Sequence, residues 1–361
     1  MRFLQSVGII SVTTQGSLLA ARLAAKLPMQ TEVYAKAGRN IALEGKEYEN
    51  FSETVEELFN RMDGLIFIMA TGIVVRTLAP LIVNKTQDPA IVVLDEQGQH
   101  AISLLSGHIG GANELAKMAA DAVDGTPVIT TATDVQQVMA PDTLAVKLEL
   151  EIDGLDEAKK ISSLLVNEGR VLYFLDESLP GAEEYRQRAK EYKVELLSMS
   201  DMSQLDGFDG AVVISDQQIL LEVPTLYLRP PVLIAGIGCR RGTSAINILQ
   251  ALQETCRMSG RSLRSVHSLA SVDLKEDEIG LLAAAQQLHL ETYFYTPEEL
   301  ESVRLKFGLA ESAFVKEKIG VGNVCETAAL LASQGGSLVS PKKSFEGITI
   351  ALARAASPLL D

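Results

Sequence analysis

The feature that most constrains this chain is a change of hydrophobic period that recurs in two separate stretches. Short apolar runs of strand length alternate with apolar positions spaced three and four apart, first up to residue 134 and again from Val232. Val7 to Val12 is a buried-strand run, after which Leu18, Leu19, Leu23, Ala24 and Leu27 recur at helical spacing until Pro28 stops them. A helix from Ser52 places Val55, Leu58 and Phe59 on one face. Leu65 to Ala70 is the next strand and Ile73 to Ile82 the next helix. Ala90 to Asp95 and His100 to Leu105 flank Glu96-Gln97-Gly98-Gln99 as a hairpin. A glycine-rich turn, Gly107 to Gly111, leads into a helix from Ala112 to about Val123, and Pro127 to Thr131 is a further strand. Strand and helix in alternation imply an α/β fold, with a doubly wound parallel sheet covered on both faces.

The middle is less regular. Val146 to Ile152 alternates like a half-exposed strand, Leu155 to Glu168 is a charged helix, and Val171 to Leu175 is a strand. A polar helix, Ala182 to Tyr192, precedes strands at Val194 to Leu197 and Ala211 to Ile214, and Arg229-Pro230-Pro231 reads as a linker. From Val232 a separate α/β pattern begins. The strand Val232 to Ala235 enters the glycine-containing segment Gly236 to Gly242, followed by helices with Ile246, Leu249 and Leu252 on one face, at Ile279 to Leu288, after Thr296-Pro297 and at Val324 to Ala332. The expected domains are therefore an N-terminal α/β domain at 1–134, a small α/β middle domain at 135–231 and a C-terminal α/β domain at 232–361.

Charge narrows the partners. The chain has 361 residues and a net charge of −15, with 47% hydrophobic residues, 5% aromatics and no Trp. Such a chain is globular with an aliphatic core, and its acidity argues against nucleic-acid and anionic-membrane partners. Lys/Arg against Asp/Glu stand at 11 to 17 in residues 1–150, 8 to 16 in 151–231 and 13 to 14 in 232–361, so an anionic ligand is expected at the ends, away from the middle. Cys239, Cys256 and Cys325 have neither metal-ligand spacing nor a disulfide framework, which suggests a cytoplasmic protein. The first residues read as a strand and not as a signal peptide, and the longest apolar stretch, Leu65 to Val75, is too short for a membrane span of roughly 20 residues.

Several segments carry candidate chemistry. Gly107-His108-Ile109-Gly110-Gly111-Ala112-Asn113-Glu114 places three glycines in a strand-to-helix turn, where backbone N–H groups face an oxyanion and His108 is available as a base. The plain alternative is a tight turn that His108 caps. Thr71, Gly72 and Arg76 follow an apolar strand, Lys85, Thr86 and Asp88 lie in a polar loop, and Thr130 to Asp134 follow another strand. Taken singly these are caps, turns or solvated charges; together they are expected along one sheet edge, where doubly wound folds bind ligands. Gly236, Gly238 and Gly242 after a strand invite a dinucleotide reading. The acid expected about 20 residues after such a motif is missing, since Ser271 and Asp273 come about 30 residues beyond Gly242. Arg240 and Arg241 suit a carboxylate or phosphate, whereas Cys239 is either a nucleophile or a small turn residue. No phosphate loop and no Gly-x-Ser-x-Gly elbow occurs, and His100, His108, His267 and His289 include no pair with zinc spacing, so no protein-bound metal is expected.

These segments, taken in order, resemble the cobalt-precorrin-5A hydrolases of anaerobic cobalamin biosynthesis. The resemblance rests on Thr71 to Arg76, Asp88-Pro89-Ala90, Ser103 to Asn113, Thr130 to Asp134, Gly236 to Gly242, Leu269 to Asp273 with Lys275 and Glu278, and Gly322 to Ala329. It covers roughly 1–134 and 232–355; the middle matches in position and length only. The resemblance implies that a δ-lactone on a cobalt tetrapyrrole is opened by water and acetaldehyde is released, with cobalt carried by the substrate and no further cofactor. For that chemistry the expected catalytic residues are His108 as base, with Asn113 or Glu114 orienting His108 or the water, and Gly110 and Gly111 as oxyanion donors. Expected substrate contacts are Thr71, Gly72, Arg76, Lys85, Gly107, Thr131, Asp134, Gly236, Gly238, Arg240, Arg241, Ser271, Lys275, Gly322 and Asn323, with the two outer domains clamping the macrocycle. Transient contact with other enzymes of the pathway is a further expectation. The alternatives are a carrier that binds the tetrapyrrole without changing it and, more distantly, a nucleotide-dependent enzyme.

Overall fold

Among the residues described by the computed structural model, three sheets organise the chain: seven strands, five and five. The structure describes residues 4–357 apart from 41–44, 85–86, 109, 137, 205, 314–315 and 318–319. It forms two compact units, Met1–Lys147 and Leu148–Asp361.

The first unit has strands β1 (Ser6–Ser11), β2 (Gln30–Lys36), β3 (Lys46–Tyr48), β4 (Gly64–Ile68), β5 (Ala90–Leu94), β6 (His100–Leu105) and β7 (Thr126–Val128), in the order β3-β2-β1-β4-β5-β6-β7. β4 and β5, GLIFI and AIVVL, are buried at every position, as strands covered on both faces must be. Helices α1 (Thr14–Ala24) and α4 (Ala112–Val123) pack Leu19, Leu23, Leu115 and Ala119 on one face of the sheet. Helices α2 (Phe51–Arg61) and α3 (Thr71–Leu78) pack Val55, Leu58, Val74 and Leu78 on the other. Thr13 and Asn50 cap α1 and α2 by accepting from Gly16 N and Glu53 N, which fixes where each helix starts.

Strand direction is the finding with functional weight. β1 to β5 run parallel, but β6 returns antiparallel to β5, with Ile91 opposite Leu105, and β7 then runs parallel to β6. The hairpin therefore carries the carboxyl ends of β6 and β7 to the edge where β4 and β5 begin. Thr71, Gly72 and Arg76 follow the carboxyl end of β4 and lie at the opposite edge, on the order of 15 Å away for five-residue strands at about 3.3 Å per residue. The single shared edge expected from sequence does not form.

Two short helices follow β7: α5 (Ala132–Val135) and α6 (Pro141–Lys147). The strand expected at Val146 to Ile152 is instead the end of α6 followed by β8 (Glu151–Asp153). Pro141 opens the helix with its preset φ, and Leu144 and Ala145 are buried on it. The first unit continues through this helix, past residue 134.

The second unit holds two sheets. α7 (Leu155–Val166), β9 (Val171–Leu175), α8 (Ala182–Glu191), β10 (Leu197–Ser198), β11 (Gly210–Ile214) and β12 (Thr225–Arg229) complete a sheet ordered β10-β9-β11-β12-β8. β13 (Leu233–Cys239), α9 (Ala245–Met258), β14 (Val266–Val272), α10 (Ile279–Leu288), β15 (Glu291–Tyr295), α11 (Pro297–Phe307), the helix Cys325–Ala332, β16 (Ser337–Phe345) and β17 (Ile348–Arg354) form the other, ordered β15-β14-β13-β17-β16. Asp216, fully buried, ties the two together. It receives Arg354 through Nε at 3.0 Å and Nη2 at 2.7 Å, and Arg261 Nη1 at 2.7 Å. Arg229, read from sequence as linker, is the buried end of β12; it pairs with Asp153 at 2.9 Å and donates to the carbonyls of Ser215 and Gln217.

Candidate active site

The loop between β6 and α4 is knit by its own backbone. Ser106 adopts φ 59°, and Gly111, the residue before α4, φ 88°. Gly111 N donates to His108 O at 2.9 Å, Ala112 N to Ser106 O at 3.0 Å and Asn113 N to Gly107 O at 3.0 Å. This removes one of the two expected oxyanion donors: the Gly111 N–H is already committed within the turn. Gly107 and Gly110 also serve close approach. A Cβ on Gly110 would stand 2.2 Å from the Ser106 Cβ, and one on Gly107 would stand 2.9 Å from Asn113 Oδ1.

The tight loop delivers His108 and Asn113 into one polar network. His108 Nε2 lies 2.8 Å from Asp134 Oδ2 and 3.1 Å from Thr133 Oγ1. An ionised carboxylate only accepts, so the Asp134 contact calls for a proton on Nε2; in a neutral ring of that tautomer the Nδ1 lone pair is open. Asn113, 4% exposed, donates Nδ2 to Thr131 Oγ1 at 2.9 Å and to Asp134 Oδ2 at 3.0 Å, while its Oδ1 accepts from Ser103 Oγ at 2.6 Å. Asp134, expected to touch substrate, is thus the partner that orients the imidazole. Asn113 orients Asp134 and does not touch His108 itself. Glu114 pairs with Lys117 at 2.8 Å and lines the cleft without touching the ring.

Beside this network is a cleft of about 30 Å³ lined by His108, Asn113, Asp134, Thr143 and Val146, among others. That is room for a water, not for a macrocycle. Thr133 and Ser103, named in the sequence only as parts of longer segments, and Asp142, whose Oδ1 lies 3.9 Å from His108 Nδ1, were not among the expected site residues. The Pro141-Asp142 pair is a helix-start signal that pointed to the last of these. Arg76 is exposed at the other sheet edge and donates to Gly72 O at 3.3 Å, and Lys85 lies outside the described residues.

The C-terminal candidates sort differently. Gly236 and Gly238 lie inside β13, not in a ligand-cradling turn. A Cβ on Gly236 would meet Cys325 O at 1.8 Å, and one on Gly238 would meet Thr349 Oγ1 at 2.7 Å. Ser271 is buried and donates to Ile237 O at 2.7 Å. Lys275 is buried against Glu278 at 3.2 Å, so its charge is spent inside the protein. Arg241 is exposed and paired with Asp277 at 2.9 Å, whereas Arg240 has no side-chain partner among the described residues. Gly322 is held against Glu311. Asn323 starts the helix Cys325–Ala332 by accepting from Glu326 N and donating to Ala310 O, so both are structural. Burial pushes the Cys239 thiol above its usual range, away from the thiolate form. A cavity of about 440 Å³ opens between the starts of α9 and α10, lined by Arg241 to Ala245 and by Asp277 to Gly280. Among the described residues, no group of three or more His, Cys, Asp or Glu is placed to hold a metal ion, and no helix is long and apolar enough to cross a membrane.

Comparison with known proteins gives the chain's family. Three family models match in succession: cobalamin synthesis G N-terminal at 53–134, cobalamin biosynthesis central region at 139–230 and cobalamin synthesis G C-terminus at 233–353. The cobalt-precorrin-5A hydrolase of Salmonella typhimurium is 37% identical over 353 residues, covering 96% of this chain and 97% of that one. The enzyme of the same name from Priestia megaterium is 33% identical, covering 96% and 94%. A crystal structure of a putative cobalamin biosynthesis protein G homolog from Sulfolobus solfataricus aligns over 97% of both chains at 19% identity, with a TM-score of 0.38. Full-length identity at this level, with all three models in order, shows that the chain belongs to the cobalt-precorrin-5A hydrolase family.

Proposed function

We propose that this chain hydrolyses cobalt-precorrin-5A, opening the δ-lactone formed from the ring-A acetate and releasing acetaldehyde to give cobalt-precorrin-5B. Family membership supports the substrate. The observation that carries the chemistry is His108, held at Nε2 by Asp134 beside a water-sized cleft. With Nε2–H given to Asp134, Nδ1 takes a proton from water as the oxygen adds to the lactone carbonyl. The ring C–O bond then breaks, and the same proton returns to the leaving alkoxide. In the second stage His108 Nδ1, having returned its first proton, takes the proton of the freed hydroxyl, the O–H electrons form the carbonyl of acetaldehyde, and the C–C bond electrons pass to the macrocycle. The cobalt macrocycle, as substrate, accepts those electrons, so the protein contributes positioning and proton transfer with no further cofactor. On this reading the reaction is hydrolysis with carbon–carbon cleavage in the cytoplasm, a location that the free thiols of Cys239, Cys256 and Cys325 support.

A second reading, a carrier of the cobalt tetrapyrrole, is favoured by the cavity of about 440 Å³ beside Arg241, in the unit that lacks His108. Anaerobic incubation with cobalt-precorrin-5A separates the two. Trapped acetaldehyde and a corrinoid mass matching the opened, shortened product support the hydrolase, whereas a bound macrocycle of unchanged mass supports the carrier.

A further inference from the structure

His108 stands between two carboxylates, and the proposed reaction uses only one of them. Asp134 meets Nε2 at 2.8 Å. Asp142 faces the other nitrogen, its Oδ1 3.9 Å from Nδ1, with a side chain only 6% exposed. The two ring nitrogens point in divergent directions, so the carboxylates cannot converge with the imidazole on one ion. They act on opposite sides of the ring. A separation of 3.9 Å is too long for a hydrogen bond and is the kind of polar gap that a single water closes. Asp142 is also held in place: Pro141 opens its helix, and Thr143 N donates to the same Oδ1 at 2.9 Å. Thr143 and Val146, from the same short helix, line the water-sized cleft beside His108.

We infer that Asp142 is a catalytic residue that orients the attacking water. Resting on the hydrolase reading, the assignment gives each hydrogen of that water one acceptor. His108 Nδ1 takes the hydrogen that is transferred as the oxygen adds to the lactone carbonyl. Asp142 Oδ1 accepts the hydrogen that stays, aiming the oxygen lone pair at the carbonyl carbon. Asp134 fixes the imidazole so that Nδ1, and not Nε2, faces the water. The carboxylate of Asp142 neither gains nor loses a proton in this step; its contribution is geometry and charge opposite the imidazolium as it forms.

The test compares the full-length wild type with Asp142→Asn and Asp142→Ala under anaerobic conditions with cobalt-precorrin-5A, following acetaldehyde release and the melting temperature. Asparagine keeps an oxygen for Thr143 N, so the helix start is retained. The expected result is a fall in kcat of about 100-fold with KM within about threefold, for a chain that melts within about 2 °C of wild type. Added formate, which can occupy the space left by the shortened side chain, is expected to restore at least about tenfold of the rate lost in Asp142→Ala and nothing in the wild type. A wild type that turns over alongside a folded Asp142→Asn of unchanged kcat overturns the role of Asp142 alone. If asparagine prevents folding, formate rescue of the alanine variant decides, and its failure in a folded Asp142→Ala also overturns the role. A wild type that releases no acetaldehyde overturns the reaction itself and the role with it.

Discussion

Two glycine-rich segments follow strands in this chain, and they do opposite work. Gly107, Gly110 and Gly111 sit where the chain leaves β6, in a loop that folds back on its own carbonyls and delivers His108 and Asn113 to Asp134. Gly236 and Gly238 are part of β13 itself and are small so that the backbone at Cys325 and the hydroxyl of Thr349 can press against the strand. Both patterns read as possible ligand cradles. A glycine reports only that something comes close. Whether that neighbour is a polar side chain in a cleft or another backbone in a core decides if the site is chemical or structural.

The sharpest way to break this contrast is His108→Ala. A fall in acetaldehyde release of about 10³-fold at unchanged melting temperature is expected, in the range that removal of a general base costs. A folded variant that turns over normally would show the first glycine loop to be as structural as the second. Asn113→Asp puts a second carboxylate 3.0 Å from Asp134 in place of a donor. It is expected to cost roughly 10²-fold in kcat through the repulsion, with asparagine the only amide-bearing side chain of that length. Wild-type kinetics for Asn113→Asp would remove the network from the mechanism.

Gly236→Ala is the opposite case. A methyl group 1.8 Å from Cys325 O must displace the helix Cys325–Ala332, for a loss of about 3 kcal/mol seen as a lower melting temperature. The reaction per folded molecule is expected to be unchanged. Impaired turnover without loss of stability would return Gly236 to the binding site. Arg241→Ala is milder, because its pair with Asp277 is exposed and such pairs contribute about 0–1 kcal/mol. If the neighbouring cavity takes macrocycle carboxylates, substrate affinity falls several-fold and becomes less salt-sensitive; unchanged affinity in the double variant with Arg240→Ala would exclude that face.

The smallest effect expected is in acid. Burial pushes the Asp176 carboxyl up, but hydrogen bonds from Ser178, Ser215 and Gln217 outweigh it and hold the group below its usual 3.8. Its stabilisation is therefore present above that value and is lost as the pH falls through the lower folded one. Melting temperature against pH should drop more steeply below 3.8 in the wild type than in Asp176→Asn, and parallel curves would refute this.

Much of the architecture was legible because periodicity is local. The helix Ile279–Leu288 and the helix after Gly111 fall where apolar spacing puts them, and Glu96 to Gln99 marks the hairpin. β2 and β3 went unread, since Gln30 to Lys36 carries exposed polar ends and Lys46 to Tyr48 is only three residues long. Val146 and the alternation after it hid the helix that brings Asp142 to His108.

By itself, the amino-acid sequence determined the alternating α/β elements, the aliphatic core and the one histidine set in a glycine turn, because each depends on residues a few positions apart. Only the tertiary structure decided which of the candidates meet. An antiparallel β6 carries Gly107 to the sheet edge away from Thr71 and Arg76, and Lys275 spends its charge on Glu278. Strand direction and ion pairing are settled by packing between distant segments, and no local pattern encodes them.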